Sequence, residues 1–337
     1  MSRNHTTIER ERLLAMLTNS PQSPSAESSE PQRTPLPVAE NASSEGCPTP
    51  LDWRQVVAAY RREGESVTVQ TNNGPVDTYR FGDGPPLYLL NGFVGSHELF
   101  ALLAWLLKDE HATIAIDWHA ETPDKRLSPL EHLHNLSTQV IAVADELGHA
   151  EWAMHATSFG CLVAMQAMLD VPDRISRCSL QGAFARRHFS LTERALMLLG
   201  RHAQQSLADV SPALRVQQEN HRQWFPPFDG TRWSFYEEQM GRTPLRELAS
   251  RATLSGRVDL TGRLSEIQTP LLVIACEGDG RRSVDAQLDI AERTPHSRVE
   301  SLDNCGSLPH VTHPHRLAKL LRQFRDESDC QHQLPSD

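Results

Sequence analysis

Short apolar segments alternate with helical segments along most of this 337-residue chain, and this alternation limits the fold more than any other feature. The strand-like runs are Pro86–Leu90, Thr113–Asp117, Trp152–His155, Arg177–Leu180, Leu271–Cys276 and Val299–Leu302. Apolar strands that alternate with helices are typical of a parallel sheet covered on both faces. The sequence therefore predicts an α/β fold with a mostly parallel, doubly wound sheet.

A turn signal joins two further predicted strands. The segment 72–74, Asn-Asn-Gly, lies between Ser66–Gln70 and Val76–Phe81, and these residue types tolerate the positive φ of a tight turn. We expect a β-hairpin here, followed by the strand at Pro86–Leu90 and a helix over Ser96–Lys108.

Capping residues mark a longer helix. Ser128 is the expected N-cap, Pro129 the first helical residue and Glu131 the third, which together form a capping box, and Gly148 is a C-terminal stop. One face is predicted to be buried, because apolar residues step by three and four: Leu130, Leu133, Leu136, Val140, Ala144 and Leu147.

The first 50 residues have the composition of a disordered tail. Residues 19–50 include seven Pro, seven Ser and no aromatic residue, so little apolar surface could offset the entropy of ordering them. Dilution by this segment explains why the hydrophobic fraction is 39%, below the roughly 45–50% of a compact domain. We expect a tail over residues 1–50, one domain over residues 51–328 and a flexible C-terminus over residues 329–337.

The stretch over residues 185–267 interrupts the alternation and is rich in helical segments. We expect it to form a helical lid inserted between two strands of the sheet. Its aromatic residues are more typical of a lid core than of a ligand platform: Trp224, Phe225, Phe228, Trp233, Phe235 and Tyr236.

Net charge and apolar-run length argue against two kinds of partner. The net charge of −10 disfavours binding to nucleic acid or to anionic lipid, both of which need clustered positive charge. The longest apolar run, Leu99–Leu107, is far shorter than the roughly 20 residues of a transmembrane helix. The sequence predicts no nucleic-acid partner and no transmembrane segment.

The cysteines and histidines show no metal-ligand pattern. The six cysteines are scattered without a CxxC pair and no secretory signal is evident, which predicts reduced thiols and a cytoplasmic location. His310, His313 and His315 lie close together in sequence, but no HExxH pattern accompanies them. We expect neither a metal nor a cofactor.

The segment Trp152–Cys161 carries the clearest chemical signal. A strand leads into Ala-Thr-Ser-Phe-Gly at 156–160 and a helix follows, which is the small-x-Ser-x-Gly pattern of a nucleophile elbow with Ala156 in place of the usual first glycine. Such a turn needs small residues on both sides of the serine. It places the Oγ of Ser158 at a helix N-terminus, where negative charge is favoured, so Ser158 is the predicted nucleophile.

Two further segments complete the predicted constellation. Phe93 follows the strand Pro86–Leu90, where its backbone N–H and that of Phe159 would face an oxyanion. Asp279 follows Leu271–Cys276, at the place expected for the acid of a catalytic triad. The alternative is that Asp279 only caps its loop.

From residue 81 to residue 324 these segments resemble the α/β-hydrolase superfamily. The resemblance implies a base histidine in the loop after the last strand, as Gly-His-x-Pro followed by a helix. Gly306, Pro309 and Pro314 match that spacing and place Ser307 where the histidine would be. The triad is therefore expected to lack its base.

The absent base limits the chemistry. A serine hydroxyl is a poor nucleophile unless a base within about 2.6–3.2 Å takes its proton, and Ser307 cannot do so usefully at neutral pH. His310, three residues further on, could replace the base only if its ring reaches back. His155 points elsewhere by strand alternation and is expected to be a packed structural histidine.

A narrower resemblance, to the maspardin family, rests on Glu247–Leu254, on Leu271–Gly280 and on the loop and helix that follow Asp303. That family likewise keeps the elbow serine and lacks the histidine. The resemblance implies a non-catalytic cytosolic protein that acts through partner binding, with some association with endosomal membranes. It does not extend to the tail or to much of the lid, so the identity of a partner does not transfer.

Three functions follow from these observations. The first is binding of a protein or of a small acyl or ester ligand in a pocket whose triad is degenerate. The second is a serine ester or lipid hydrolase that uses a relocated histidine such as His310. The third is a different reaction in the same pocket, such as a lyase or acyl-transfer reaction.

Overall fold

An eight-stranded sheet forms the centre of the computed structural model, which describes residues 52–118, 127–210 and 219–332. The strand order is β1-β2-β4-β3-β5-β6-β7-β8; β2 pairs antiparallel with both β1 and β4, and the remaining pairs are parallel. The strands are β1 (Glu65–Thr71), β2 (Gly74–Phe81), β3 (Pro86–Leu90), β4 (Ala112–Asp117), β5 (Trp152–Thr157), β6 (Ile175–Gln181), β7 (Leu271–Cys276) and β8 (Ser297–Leu302). The predicted mostly parallel sheet is confirmed.

Helices occupy the connections between the strands. Those in the described ranges are α1 (Trp53–Glu63), α2 (Ala101–Leu107), α3 (Pro129–Glu146), α4 (Phe159–Asp170), α5 (Leu191–Gly200), α6 (Gly230–Gly241), α7 (Leu245–Ser255), α8 (Arg281–Arg293), α9 (Pro309–Thr312) and α10 (Pro314–His332). The central strands β5 and β7 have every side chain buried, as expected for strands covered on both faces.

The turn and capping signals predicted from the sequence coincide with the ends of strands and helices in the structure. Thr71 pairs with Gly74 across the predicted hairpin turn. The Ser128 side chain accepts from the N–H of Glu131 at 3.2 Å, and the Glu131 carboxylate accepts from the N–H of Ser128, so the capping box is confirmed. Gly148 has φ 72°, a left-handed conformation that suits glycine at the end of a helix.

Other boundaries differ from expectation. Leu130 was expected on the buried face of α3, and this is wrong: it is 44% exposed, because the buried face begins one turn later at Leu133. Helix α1 was not predicted; Asp52 caps it by accepting from the backbone N–H groups of Arg54 and Gln55. Helix α10 extends to His332, four residues beyond the predicted end of the domain.

Helices α5, α6 and α7 all lie between β6 and β7, in the predicted insertion over residues 185–267. The rings of Phe225, Trp233 and Tyr236 pack against one another with centroids 5.0–5.6 Å apart, whereas Phe228 is 87% exposed. Most of the aromatic cluster is thus internal packing of the insertion. Within the three described ranges, no helix is both long and apolar enough to cross a membrane. The predicted tail over residues 1–50 lies outside the described residues.

Candidate active site

The turn between β5 and α4 holds Ser158 in a strained conformation. Ser158 has φ 49° and ψ −109°, and its N–H donates to the Gln181 carbonyl on the neighbouring strand at 2.9 Å. A positive φ is uncommon for a non-glycine residue and costs of order 1–3 kcal/mol. A Cβ at Gly160 would lie only 2.4 Å from the Leu90 carbonyl oxygen, which explains the glycine two residues after the serine. This geometry is that of the predicted nucleophile elbow.

The loop after β3 lies directly against this turn. A Cβ added to Gly92 would be 3.3 Å from Ser158 Cβ, and the Gly92 N–H donates to the Asn91 side chain at 2.8 Å. The ring of Phe93 packs 5.8 Å from that of Phe159. The two residues predicted to supply oxyanion N–H groups are therefore neighbours beside Ser158.

A buried arginine from the insertion holds this loop in place. Arg251 of α7 donates to the carbonyls of Phe93 at 2.8 Å and Trp118 at 2.7 Å, and pairs with Glu247 at 3.1 Å. Burial lowers the pKa of Arg251, and Glu247 offsets part of this effect. Sequence reasoning did not single out Arg251, because an arginine on an amphipathic helix ordinarily faces solvent.

Asp279 follows β7 and is 5% exposed. Its carboxylate accepts from the Cys276 N–H at 3.0 Å and from Gln287 Nε2 at 3.1 Å. Burial raises the pKa of Asp279 above its usual value, although the hydrogen bonds from Cys276, Gln287 and Ser307 favour the charged form. The carboxyl is thus fixed beside the loop that carries Ser307.

Ser307 lies next to Asp279 rather than out in solvent. Its hydroxyl donates to the Gly278 carbonyl at 3.3 Å and is close enough to the Asp279 carboxylate to lower the pKa of that group. The Ser307 carbonyl accepts from Gln181 Nε2 at 2.7 Å, and the Gln181 carbonyl also holds the N–H of Ser158. Gln181, which was not predicted, connects the elbow to the Ser307 loop.

Trp224 from the insertion covers the same loop. A Cβ at Gly306 would lie 2.5 Å from the Trp224 ring, and a Cβ at Gly278 would lie 2.8 Å from it. Glycine is therefore required at both positions by the close approach of this ring. Trp224 therefore packs on the loop that carries Ser307 rather than in the aromatic core of the insertion.

His310 lies at the start of α9 and lines the cavity above Ser158. It is 2% exposed, its ring packs 5.2 Å from that of Phe100, and neither ring nitrogen has a hydrogen-bond partner among the described residues. Burial, with a smaller effect from nearby His155, lowers the pKa of His310 to about 3. The imidazole is neutral at pH 7 and weakly basic.

His155 is the packed histidine expected from strand alternation. It is fully buried, its Nδ1 lies 2.9 Å from the Ser179 hydroxyl, and burial lowers its pKa to about 4. His155 is not among the described residues that line the cavity.

One cavity of about 150 Å³ brings most of these groups together. The predicted residues on its wall are Phe93, Ser158, Asp279, Ser307 and His310, and an aromatic and aliphatic surface continues from them: Phe184, Leu99, Leu207, Tyr236, Leu248 and Leu308. Such a cavity suits a small ligand with an apolar portion. Within the described ranges, no three His, Cys, Asp or Glu side chains are grouped so that they could hold a metal ion.

Solved structures similar to this chain share its fold. A hydrolase from Pseudomonas aeruginosa PA01 matches with a TM-score of 0.64 and 18% identity over 77% of this chain and 98% of that chain. An esterase from Thermogutta terrifontis, with malate bound, matches with a TM-score of 0.64 and 16% identity over 78% and 99%. The enol-lactonase from Burkholderia xenovorans LB400 matches with a TM-score of 0.63 and 16% identity over 77% and 100%. At these identities the similarity concerns the fold alone.

The sequence is also similar to a curated protein and to a family model. The 1H-3-hydroxy-4-oxoquinoline 2,4-dioxygenase of Pseudomonas putida is 34% identical over 94 residues, which are 27% of this chain. The match spans about a third, 36%, of that relative's length. The family model covers residues 87–320, which include the elbow, Asp279 and Ser307. The chain belongs to the alpha/beta hydrolase family.

Proposed function

We propose that this protein binds a small acyl or ester compound in the cavity above Ser158 and that its hydrolytic turnover is impaired. The observation that carries the proposal is Ser307, a residue without a useful basic group, beside Asp279. The maspardin family, which the sequence resembles, likewise lacks the histidine at this position. A serine at position 307 supports a site that has kept the shape of a serine hydrolase without its proton acceptor.

Proton transfer is the step that this arrangement cannot perform well. The attack of Ser158 Oγ on a carbonyl carbon needs a base to take the hydroxyl proton, and the same group must later protonate the leaving group. In a serine protease, loss of the base lowers kcat by about 10⁶-fold, while oxyanion binding still contributes about 10³–10⁴ over water. Binding is therefore what the remaining groups support best.

Several groups beside Ser158 support the binding of an acyl compound. Phe93 and Phe159, the residues proposed to supply the oxyanion N–H groups, lie beside Ser158, and Arg251 donates to the Phe93 carbonyl and so holds the loop in its orientation. The cavity wall beyond them is mostly aromatic and aliphatic. An ester carbonyl at Ser158 with a short apolar portion is the ligand that these features accommodate.

A second candidate function is a serine ester hydrolase that uses His310. The observation in its favour is that His310 lines the same cavity with both ring nitrogens unpaired among the described residues. Its pKa of about 3 counts against it, because a general base works best when its pKa lies near the working pH. A reaction that needs no triad, such as a lyase reaction or the oxygenation for which the Pseudomonas putida relative is named, is the remaining alternative.

The first test compares the wild type with Ser158→Ala, using a fluorophosphonate probe, p-nitrophenyl butyrate turnover and calorimetric titration with methyl levulinate, a neutral ester. We expect methyl levulinate to bind both proteins. Because no base assists Ser158, we expect the wild type to hydrolyse p-nitrophenyl butyrate no more than about tenfold faster than Ser158→Ala does. Strong Ser158-dependent labelling and turnover would refute the impaired state. If His310→Gln then abolished that turnover, the second candidate would be correct.

Three wider expectations belong to the same proposal. The four described cysteines, Cys161, Cys178, Cys276 and Cys305, are free thiols, which supports action in the cytoplasm. A protein partner is the alternative to the small ligand, and no nucleic-acid partner is expected. The division into a tail, one domain with a lid and a short C-terminus also stays a proposal, tested by limited proteolysis.

A further inference from the structure

An arginine that takes no part in the chemistry above projects into the same cavity. Arg187 lies in the chain just after β6, where the insertion begins, and it shares the cavity wall with Ser158, Phe93 and His310. Its Nη2 atom is buried and has no hydrogen-bond partner among the described residues. A buried donor of a charged group without an acceptor is costly, so this position calls for an explanation.

Aromatic rings surround the Arg187 guanidinium on several sides. Its central carbon lies 4.9 Å from the centroid of the Phe189 ring, 5.2 Å from that of Phe93 and 5.4 Å from that of Phe184. The Phe93 and Phe184 rings are parallel within 2° and 6.3 Å apart. Contact with ring faces offsets part of the cost of burying the cation, and it restricts the side chain to one orientation. Ring faces do not satisfy the N–H donors.

No described carboxylate neutralises Arg187. Glu193 is the acid that acts on it electrostatically, but the Glu193 carboxylate is already held by the backbone N–H of Ser190 at the start of α5. Burial lowers the pKa of Arg187 to about 10, so it is protonated at neutral pH. The cation is therefore available to an anion that enters the cavity.

The other titratable groups on the cavity wall carry no further positive charge. Among the described residues on its wall, Arg187 is the one arginine or lysine, and Asp279 is the one carboxylate. Asp279 is already bonded to Cys276 and Gln287. Burial keeps His221 and His310 neutral at pH 7, with pKa values of about 4 and about 3. Arg187 is thus the positive charge that an anionic ligand meets on this wall.

The position of Arg187 relative to the elbow defines the form of the ligand. Phe93 contacts the guanidinium with its ring, and its backbone belongs to the loop that lies against Ser158. A ligand that spans the cavity can therefore place an ester or acyl carbonyl at Ser158 and an anionic end at Arg187. A carboxylate matches the planar fork of a guanidinium, with which it can form two parallel hydrogen bonds.

We propose that Arg187 binds a carboxylate on the ligand, so that the site takes short acyl or ester compounds with a free acid at one end. This inference rests on the proposed function, because it names the class of compound bound in the cavity above Ser158. Arg187 acts here as a specificity-determining residue and forms no bond with the reacting atoms.

The test compares two probes of nearly the same shape by calorimetric titration: monomethyl succinate, which carries a carboxylate, and methyl levulinate, in which an acetyl group replaces it. For the wild type we expect monomethyl succinate to bind about 10- to 100-fold more tightly, the usual size of a hydrogen-bonded charge pair. Arg187→Gln should remove that preference and leave methyl levulinate within about threefold of the wild type. Arg187→Lys should keep part of the preference for monomethyl succinate, since the positive charge remains but the planar guanidinium is lost.

Each other result has a definite meaning. Equal binding of the two probes to the wild type would overturn the role of Arg187 while leaving the binding function intact. Failure of both probes to bind would overturn the proposed function together with this inference. If Arg187→Gln and Arg187→Lys weakened both probes equally and lowered Tm, Arg187 would only hold the three rings together, and the carboxylate role would be wrong.

Discussion

Ser307 is the residue that the spacing of the α/β-hydrolase pattern aligns with a triad histidine. The Ser307 hydroxyl lies beside the Asp279 carboxylate, and the Gln181 amide holds the Ser307 carbonyl at 2.7 Å. The loop that carries Ser307 is therefore fixed beside Asp279, without a basic side chain at this position. A single substitution could supply it without rebuilding the loop.

We predict that Ser307→His increases Ser158-dependent ester hydrolysis by at least about 10²-fold, the lower end of what a positioned general base contributes. The new imidazole would accept the Ser158 proton and donate its other N–H to Asp279. Turnover of p-nitrophenyl butyrate measures the gain, with Ser307→Ala as the matched control that adds no base. A folded Ser307→His protein that is no faster than Ser307→Ala would show that the residues are not aligned for proton transfer.

Sequence reasoning identified the site residues that strand ends position and missed those that the insertion supplies. Ser158 and Asp279 each follow a predicted parallel strand, and the C-terminal ends of parallel strands meet at one edge of a sheet. Arg187 and Arg251 reach the site from the insertion. No periodicity relates that segment to the sheet, so nothing in the sequence indicates where their side chains point.

At the scale of elements, the elbow depends on how closely α4 approaches the end of β3. Gly160, in the first turn of α4, has the Leu90 and Asn91 carbonyl oxygens 2.4 Å and 2.8 Å from where a Cβ would lie. These atoms belong to the backbone of a central strand and its loop, which cannot shift as a flexible side chain can. Ala156, which replaces the usual first glycine of the pattern, is fully buried and accommodated.

We predict that Gly160→Ala destabilises the protein by about 1–3 kcal/mol, the usual cost of overpacking a tight interior. The matched control is Gly262→Ala, because a Cβ at Gly262 meets nothing within 4 Å and its φ is not in the left-handed region. Gly262→Ala should change the free energy of unfolding by no more than about 0.5 kcal/mol. Urea denaturation of both variants measures the difference; equal stability would mean that the approach of α4 to β3 is looser than described.

The elements themselves were predictable where short-range chemistry sets them. The hairpin turn at 72–73 and the capping box at Ser128 depend on residues adjacent in sequence, and both were found. Helix α1 was missed although Asp52 caps it, because its apolar residues pack on a distant partner, α2. The exposure of Leu130 likewise depends on where α3 first meets its neighbour, which periodicity does not indicate.

At the scale of the whole molecule, neutral histidines buried in the core make stability depend on pH. His155 and His310 are at most 2% exposed, and burial lowers their pKa values from 6.5 to about 4 and about 3. In the unfolded chain these groups take up protons as the pH falls through 6.5, while in the folded protein they do not. Acid therefore favours unfolding. The raised pKa of Asp279 acts in the opposite direction, because its folded form takes up a proton more readily than its unfolded form.

We predict that the free energy of unfolding falls as the pH is lowered from 7 to 5, by about 2 kcal/mol for each of these two histidines, less the opposing contribution of Asp279. The slope follows from one proton per histidine bound only by the unfolded state. Urea denaturation at pH 7 and pH 5 measures it, and His310→Gln should reduce the loss by about 2 kcal/mol whatever its effect at pH 7. A stability that is constant or rises towards pH 5 would mean that His310 and His155 are protonated in the folded protein, and that the cavity above Ser158 is more polar than its lining indicates.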